Sequence, residues 1–180
     1  ALSYKKCLLV SPTASGKSLI IYLIVRALNV KTLIIVPTTS LVSQLYADFQ
    51  EYGWDSAKFC HQVYAGQDKV SDKKVVISTW QSIYKLNKKL FEPYKLVIGD
   101  EAHGFKSKSL TSIMTKCVNA EYRIGTTGTL DGTQTHKLVL EGLFGKVHKV
   151  TTTKKLIDRK QLAPFRVEII VLKYPDVICE

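Results

Sequence analysis

The chain has 180 residues, 46% of them hydrophobic and 23% charged, with 26 Lys and Arg against 15 Asp and Glu for a net charge of +11. That length supports one domain with a proper core, and the composition excludes disordered and fibrous classes. No apolar run reaches the ~20 residues of a membrane-spanning helix.

The start, residues 1–6, lacks the long apolar region and small-residue cleavage site of a secretory signal. It also lacks an initiator Met, so the chain reads as a piece of something longer. The four cysteines, Cys7, Cys60, Cys117 and Cys179, form no C-x-x-C pair and have no His at zinc-finger spacing. No structural metal and no membrane association are expected, and the thiols read as reduced, in a cytoplasmic compartment. A basic surface attracts polyanions, although charge alone also fits a Lys-rich solvated face.

In chain order, the first β-rich apolar run is Cys7–Val10, followed by a helical pattern over Lys17–Ala27. The run Thr32–Val36 precedes a helix over Ser40–Tyr52. Val75–Ser78 precedes Gln81–Lys88, Leu96–Ile98 precedes Ser109–Val118, and Tyr122–Gly125 is the last of the five central runs. Strands that are apolar throughout, separated by helices, predict an α/β fold with a mostly parallel sheet covered on both faces. Right-handed crossovers then bring the strand C-termini to one edge, where open α/β sheets bind ligands. After Gly142 the pattern changes: Phe144–Thr151 and Phe165–Leu172 read as strands, with a short helix over Thr152–Ile157 between them. Residues 1–150 are expected to form the domain, and 151–180 an exit segment toward a second domain absent from this chain.

Two constellations carry chemistry. Ser11-Pro-Thr-Ala-Ser-Gly-Lys-Ser18 follows a predicted strand and opens a predicted helix, the setting of a phosphate-binding loop. Backbone N–H groups of Thr13, Ala14, Ser15 and Gly16 would cradle phosphates at the helix N-terminus. Gly16 permits close approach, Lys17 supplies a cation, and the Ser18 hydroxyl suits Mg²⁺. Ser11 stands where the strict motif has its first Gly, and a Ser/Gly-rich turn before a helix is the bland alternative. Downstream, Asp100-Glu-Ala-His103 closes the strand Leu96–Ile98. Asp100 can face Mg²⁺ and Glu101 can act as general base toward water. Two acids after an apolar run can also be a solvated strand end.

Taken together these motifs resemble superfamily 2 helicases of the DEAH type, in the XPB/UvsW-like branch. Ser11–Ser18 is similar to motif I and Asp100–His103 to motif II. Pro37–Gln44 is similar to motif Ia, Ser78–Ser82 to the next DNA-contacting motif, and Thr127-Gly-Thr129 to motif III. The resemblance spans Ser11–Thr129 and implies a RecA-like P-loop ATPase domain using ATP and Mg²⁺. It implies a DNA track, with RNA as an alternative, contacted at phosphates through Thr38, Thr39, Ser40, Thr79, Trp80 and Gln81. It also implies coupling through His103, Thr127 and Thr129. The local alternatives are N-capping at Thr38 and Thr39, a core role for Trp80 and a structural role for His103. The family's Q-x-x-G-R-x-x-R motif and its adenine-recognition segment do not occur in the 180 residues. The resemblance therefore implies a second RecA-like domain in cis and poor hydrolysis by this piece alone. A non-catalytic P-loop module and the motor of a restriction system are the alternative readings. His61, His136 and His148 stand alone, and the run Lys154–Lys155 with Arg159–Lys160 reads as a solvated face.

Overall fold

A computed structural model describes residues 3–12, 15–64, 66–104, 107–128, 134–163 and 170. In chain order its elements are β1 (Lys6–Val10), α1 (Lys17–Leu28), β2 (Thr32–Val36), α2 (Thr39–Glu51), α3 (Ser56–Phe59), β3 (Cys60–Val63) and β4 (Val75–Thr79). There follow α4 (Trp80–Ile83), β5 (Leu96–Gly99), α5 (Ser107–Lys116), β6 (Tyr122–Thr127), α6 (Gln134–Phe144), β7 (Val147–Lys149) and α7 (Thr153–Asp158). The seven strands form one sheet in the order β3-β4-β2-β5-β6-β1-β7, with every pair parallel.

The order explains which face each helix covers. From β1 the chain steps across two strands to β2 and on to the far edge at β3, and then reverses direction for β4, β5, β6 and β7. Because the crossovers share one hand, reversing the direction moves the connecting helices to the opposite face. One apolar cluster accordingly joins Ile21, Ile24 and Val25 of α1 to Val42, Leu45 and Phe49 of α2. The other joins Ile83, Leu110, Ile113, Met114, Leu140 and Phe144 from α4, α5 and α6. Successive strand residues feed alternate clusters: Ile34 and Val36 pack on the α1/α2 side, Leu33 and Ile35 on the other. Both faces of β2 are therefore buried, which is why its sequence is apolar after Thr32.

Gly125 lets α6 settle on the sheet, because a Cβ there would lie 2.6 Å from Leu8 Cδ1 and 3.0 Å from the Phe144 ring. Cys7, Cys60 and Cys117 are buried free thiols. Burial pushes Cys60 and Cys117 up to about 12, so they pack as small apolar groups. No helix among the described residues is long and apolar enough to cross a membrane.

Two expectations need correction. The helix expected over Gln81–Lys88 lasts one turn, Trp80–Ile83, and a separate 3₁₀ turn covers Lys88–Phe91. Lys116 Nζ takes the Tyr84 carbonyl, and Asn87 turns its side chain back to the Lys89 N–H, as Asn does in caps. Phe144 does not open a strand: it ends α6, buried in the core, and the strand that follows is only Val147–Lys149. The edge strand β3 and helix α6 were not among the expected elements. Cys-His-Gln-Val alternates too weakly to read as a strand, and α6 begins beside residues too polar to announce it. The short helix expected near residues 152–157 is present as α7, whereas the strand expected at Phe165–Leu172 lies outside the described residues apart from Ile170.

Candidate functional site

The parallel register brings Val10 level with Thr127, and Gly99 level with Gly125 and Ile35. The segments leaving β1, β5 and β6 therefore emerge side by side at one edge. The loop after β1 is tied to its neighbour by the Ser11 N–H, which donates to the Thr127 carbonyl at 2.9 Å. The Ser11 hydroxyl, buried, donates to Ser15 Oγ at 2.7 Å. Ser11 thus replaces a first Gly by fastening the loop internally. Gly16 caps α1 at φ 77°, ψ 33°, in the left-handed region, and no side chain caps this helix. A Cβ on Gly16 would meet nothing within 4 Å, so the requirement for glycine is conformational rather than steric.

Lys17 and Ser18 open α1 facing the segment after β5. Lys17 Nζ lies 3.1 Å from Glu101 Oε1, with the two side chains 11% and 25% exposed. Glu101 adopts φ 49°, a left-handed conformation that a non-glycine residue visits at a cost. Its other oxygen, Oε2, lies 3.4 Å from His103 Nδ1. The same His103 nitrogen is hydrogen-bonded to Thr127 Oγ1 at 2.7 Å. Lys17, Glu101, His103 and Thr127 therefore form one continuous polar chain across the edges of β1, β5 and β6.

Asp100 is buried, and its Oδ1 accepts from Thr126 Oγ1 at 2.5 Å and from the Glu101 N–H at 2.9 Å. Desolvation pushes its carboxyl above the ordinary range. The Thr126 hydrogen bond works against that rise, the Glu101 charge adds to it, and the Glu101 N–H and Lys17 oppose it. A buried acid that resists ionisation alone is suited to a cation that restores the balance.

Asp100 and Glu101 line an open cavity of ≈ 330 Å³ together with Gly16, Lys17 and Ser18, and α2 contributes Leu41, Gln44, Leu45 and Asp48. The donor set fits Mg²⁺ with a nucleotide: a hydroxyl and a carboxylate are hard oxygen donors, beside an ammonium for phosphates. Thr13, Ala14 and Thr129 lie outside the described residues. Sequence reasoning missed the α2 wall and also Tyr52, whose hydroxyl is 2.9 Å from Ser18 Oγ. The available signal was helical spacing: Leu41, Leu45, Asp48 and the cap residue Tyr52 fall on one stripe, which shares the buried Leu45 with the core face of α2.

A second group of expected residues lies along the same edge, at the ends of β2 and β4. The Thr38 side chain N-caps α2, accepting from the Leu41 N–H at 3.4 Å, and Thr39 and Ser40 beside it are exposed. Thr79 is buried with its hydroxyl 2.8 Å from Ser82 Oγ. Trp80 is half-buried against the core and meets Tyr84 edge-on. Gln81 is exposed and donates to the Pro37 carbonyl at 3.2 Å, joining the two segments.

Residues 3–132 match the family model described as type III restriction enzyme, res subunit. The chain is 34% identical over 173 residues to the ATP-dependent DNA helicase uvsW of Enterobacteria phage T4, covering 92% of this chain and 34% of that protein. It is 32% identical over 129 residues to the DNA 3'-5' translocase XPB2 of Sulfurisphaera tokodaii, covering 71% of this chain and 28% of that protein. The crystal structure of the UvsW helicase from bacteriophage T4 superposes with a TM-score of 0.74 at 33% identity, over 81% of this chain and 54% of that one. The sheet with its two helical layers is thus the RecA-like helicase fold, and the chain spans about a third of the length of the curated relatives it matches.

Proposed function

This chain belongs to the family of type III restriction enzyme res subunits, and we propose that within it the chain serves as the ATP-binding motor domain of a DNA helicase or translocase. Its work would be branch migration or unwinding in recombination, repair or replication restart, in the cytoplasm of a bacterial or phage-infected cell. The observation that carries this reading is the polar chain from Lys17 through Glu101 and His103 to Thr127. It links the phosphate-binding loop to the end of β6 on the edge where Thr39, Ser40 and Gln81 are exposed.

In this reading the Lys17 ammonium binds the β/γ-phosphates, and Ser18 and Asp100 hold Mg²⁺. The bound ion would neutralise charge on the phosphates. Glu101 orients a water and accepts its proton at the carboxylate. His103 passes any shift of Glu101 to Thr127, and through it toward Thr129. Thr38, Thr39, Ser40, Thr79, Trp80 and Gln81 form the DNA side, where N–H groups and hydroxyls suit phosphates rather than base edges. Thr79 would act through its backbone, since its hydroxyl is taken by Ser82.

The shares of UvsW and XPB2 left uncovered support a second RecA-like domain in cis. An arginine supplied from such a partner contributes about 10³–10⁵ to phosphoryl transfer, so this chain alone should bind nucleotide and turn it over slowly. The family's description favours one further reading, the motor of a restriction system. Both use the same site, and DNA cleavage by the complete protein would separate them. The deciding experiment is ATP hydrolysis by the complete protein with and without DNA. Stimulation by DNA that Lys17→Ala abolishes supports the motor; equal turnover with and without DNA sinks it.

A further inference from the structure

The Ser18 hydroxyl, proposed above to face Mg²⁺, already has a fixed partner. Tyr52, the residue that ends α2, places its Oη 2.9 Å from Ser18 Oγ across 34 residues of sequence. A serine hydroxyl carries one proton and two lone pairs. If a lone pair is to face a cation, the proton must point away, and an acceptor for that proton fixes the rotamer. Tyr52 Oη lies within hydrogen-bond distance and can be that acceptor, since either hydroxyl of the pair can donate.

The tyrosine is itself held. Its backbone N–H donates to the Asp48 carbonyl at 2.9 Å, and its carbonyl accepts from the Tyr22 hydroxyl at 3.1 Å. Its ring packs against Tyr22 with centroids 5.3 Å apart. Tyr22 in turn meets Phe49 and Trp54 edge-on at 5.5 and 6.0 Å. The hydroxyl is thus delivered by a ring locked between α1 and α2, on the same stripe of α2 as Asp48, which lines the cavity.

We propose that Tyr52 is a positioning residue for the magnesium side of the site: it accepts the Ser18 hydroxyl proton and turns the Ser18 lone pair toward the metal. The proposal rests on the reading of this cavity as a Mg-nucleotide site. The opposite arrangement, in which Tyr52 competes with the metal for Ser18, predicts an effect of opposite sign.

The test is Tyr52→Phe, which removes the hydroxyl and keeps the packed ring and the Tyr22 contact to the backbone. ATP affinity is measured by calorimetry in EDTA and across a magnesium series, for wild type, Y52F, Ser18→Ala and the double variant. The expected result is equal affinity in EDTA, with a magnesium midpoint for Y52F displaced about 10-fold upward, the low end of the scale on which loss of one partner of a metal ligand is felt. In the S18A background the Tyr52 substitution should have no further effect. An unchanged or lowered midpoint, or an equal displacement without Ser18, overturns the proposal while leaving the nucleotide site standing. A wild type with no magnesium-dependent gain overturns both.

Discussion

Lys17 Nζ and Glu101 Oε1 stand 3.1 Å apart, so the cation proposed for phosphates and the base proposed for water hold one another. A phosphate chain arriving at the loop must compete with Glu101 for the ammonium. Glu101→Gln removes that competition while keeping the shape. ATP should bind about 2- to 5-fold more tightly to E101Q, the worth of a partly exposed ion pair, while hydrolysis by the complete protein stops. Lys17→Ala should instead reduce nucleotide binding below detection in the same titration. Normal turnover by E101Q would remove Glu101 from its role, and equal affinity of K17A and wild type would remove the loop.

The backbone at Glu101 invites a separate test. At φ 49° a Cβ is unfavourable, by roughly 1 kcal/mol or somewhat more. Comparing Glu101→Gly with Glu101→Ala holds the loss of the Lys17 pair constant and isolates this cost. Glycine should be the more stable of the two by about 0.5–1 kcal/mol in urea unfolding, even after its greater freedom in the unfolded chain is counted. A more stable alanine variant would show that the strain is smaller than the cost of glycine's greater freedom in the unfolded chain.

Asp100 sets the sign of a pH effect. Desolvation raises its folded carboxyl above the unfolded value, so the folded chain holds the proton more tightly than the unfolded one. Its contribution to stability is complete below the ordinary carboxylate range and is lost as pH rises through the raised value. Asp100→Asn keeps an acceptor for Thr126 and for the Glu101 N–H but carries no charge. In EDTA at pH 8 the variant should melt higher than wild type by about 2 °C or more, as ~1 kcal/mol does for a chain of this size. The gap should close as pH falls and wild type takes up its proton. A gap that widens toward acid would show the carboxylate to be net stabilised by its hydrogen bonds. Magnesium should stabilise wild type and leave D100N unmoved.

Much of this arrangement was legible because backbone and side chain agree at the motifs. Cys7–Val10 and Leu33–Val36 are apolar throughout because both sheet faces are covered, and the loop Ser11–Ser18 falls between strand and helix as its glycine and hydroxyls require. What was not legible depends on partners distant in sequence. Tyr52 reaches Ser18 only because α1 and α2 share one face of the sheet. The expected helix over Gln81–Lys88 stops where Lys116 of α5 captures the Tyr84 carbonyl. The pairing of Thr79 with Ser82 likewise had no local signature, and it turns one expected contact inward.

The proposed DNA edge yields the last prediction. Thr39, Ser40 and Gln81 are exposed at the ends of β2 and β4, and the Gln81 amide donates to the Pro37 carbonyl, which joins the two segments. The chain carries a net charge of +11. Contacts of this type release counterions, so log K should fall with log salt at a slope of about −0.9 per phosphate neutralised on duplex. A motor has to pass every base, so unrelated sequences should bind alike. In the proposed track Thr39 and Ser40 would act through the N-terminus of α2, so replacing Ser40 by Glu would set a like charge against the phosphates. Anisotropy titrations of labelled DNA should show S40E weakened about 10-fold or more at low salt, with Gln81→Ala weakened less, by roughly one hydrogen bond's worth of 2- to 5-fold. An S40E variant that binds as wild type does would move the DNA track off this edge. Salt-independent binding, or strong preference for one sequence, would mean that this surface reads something other than a phosphate backbone.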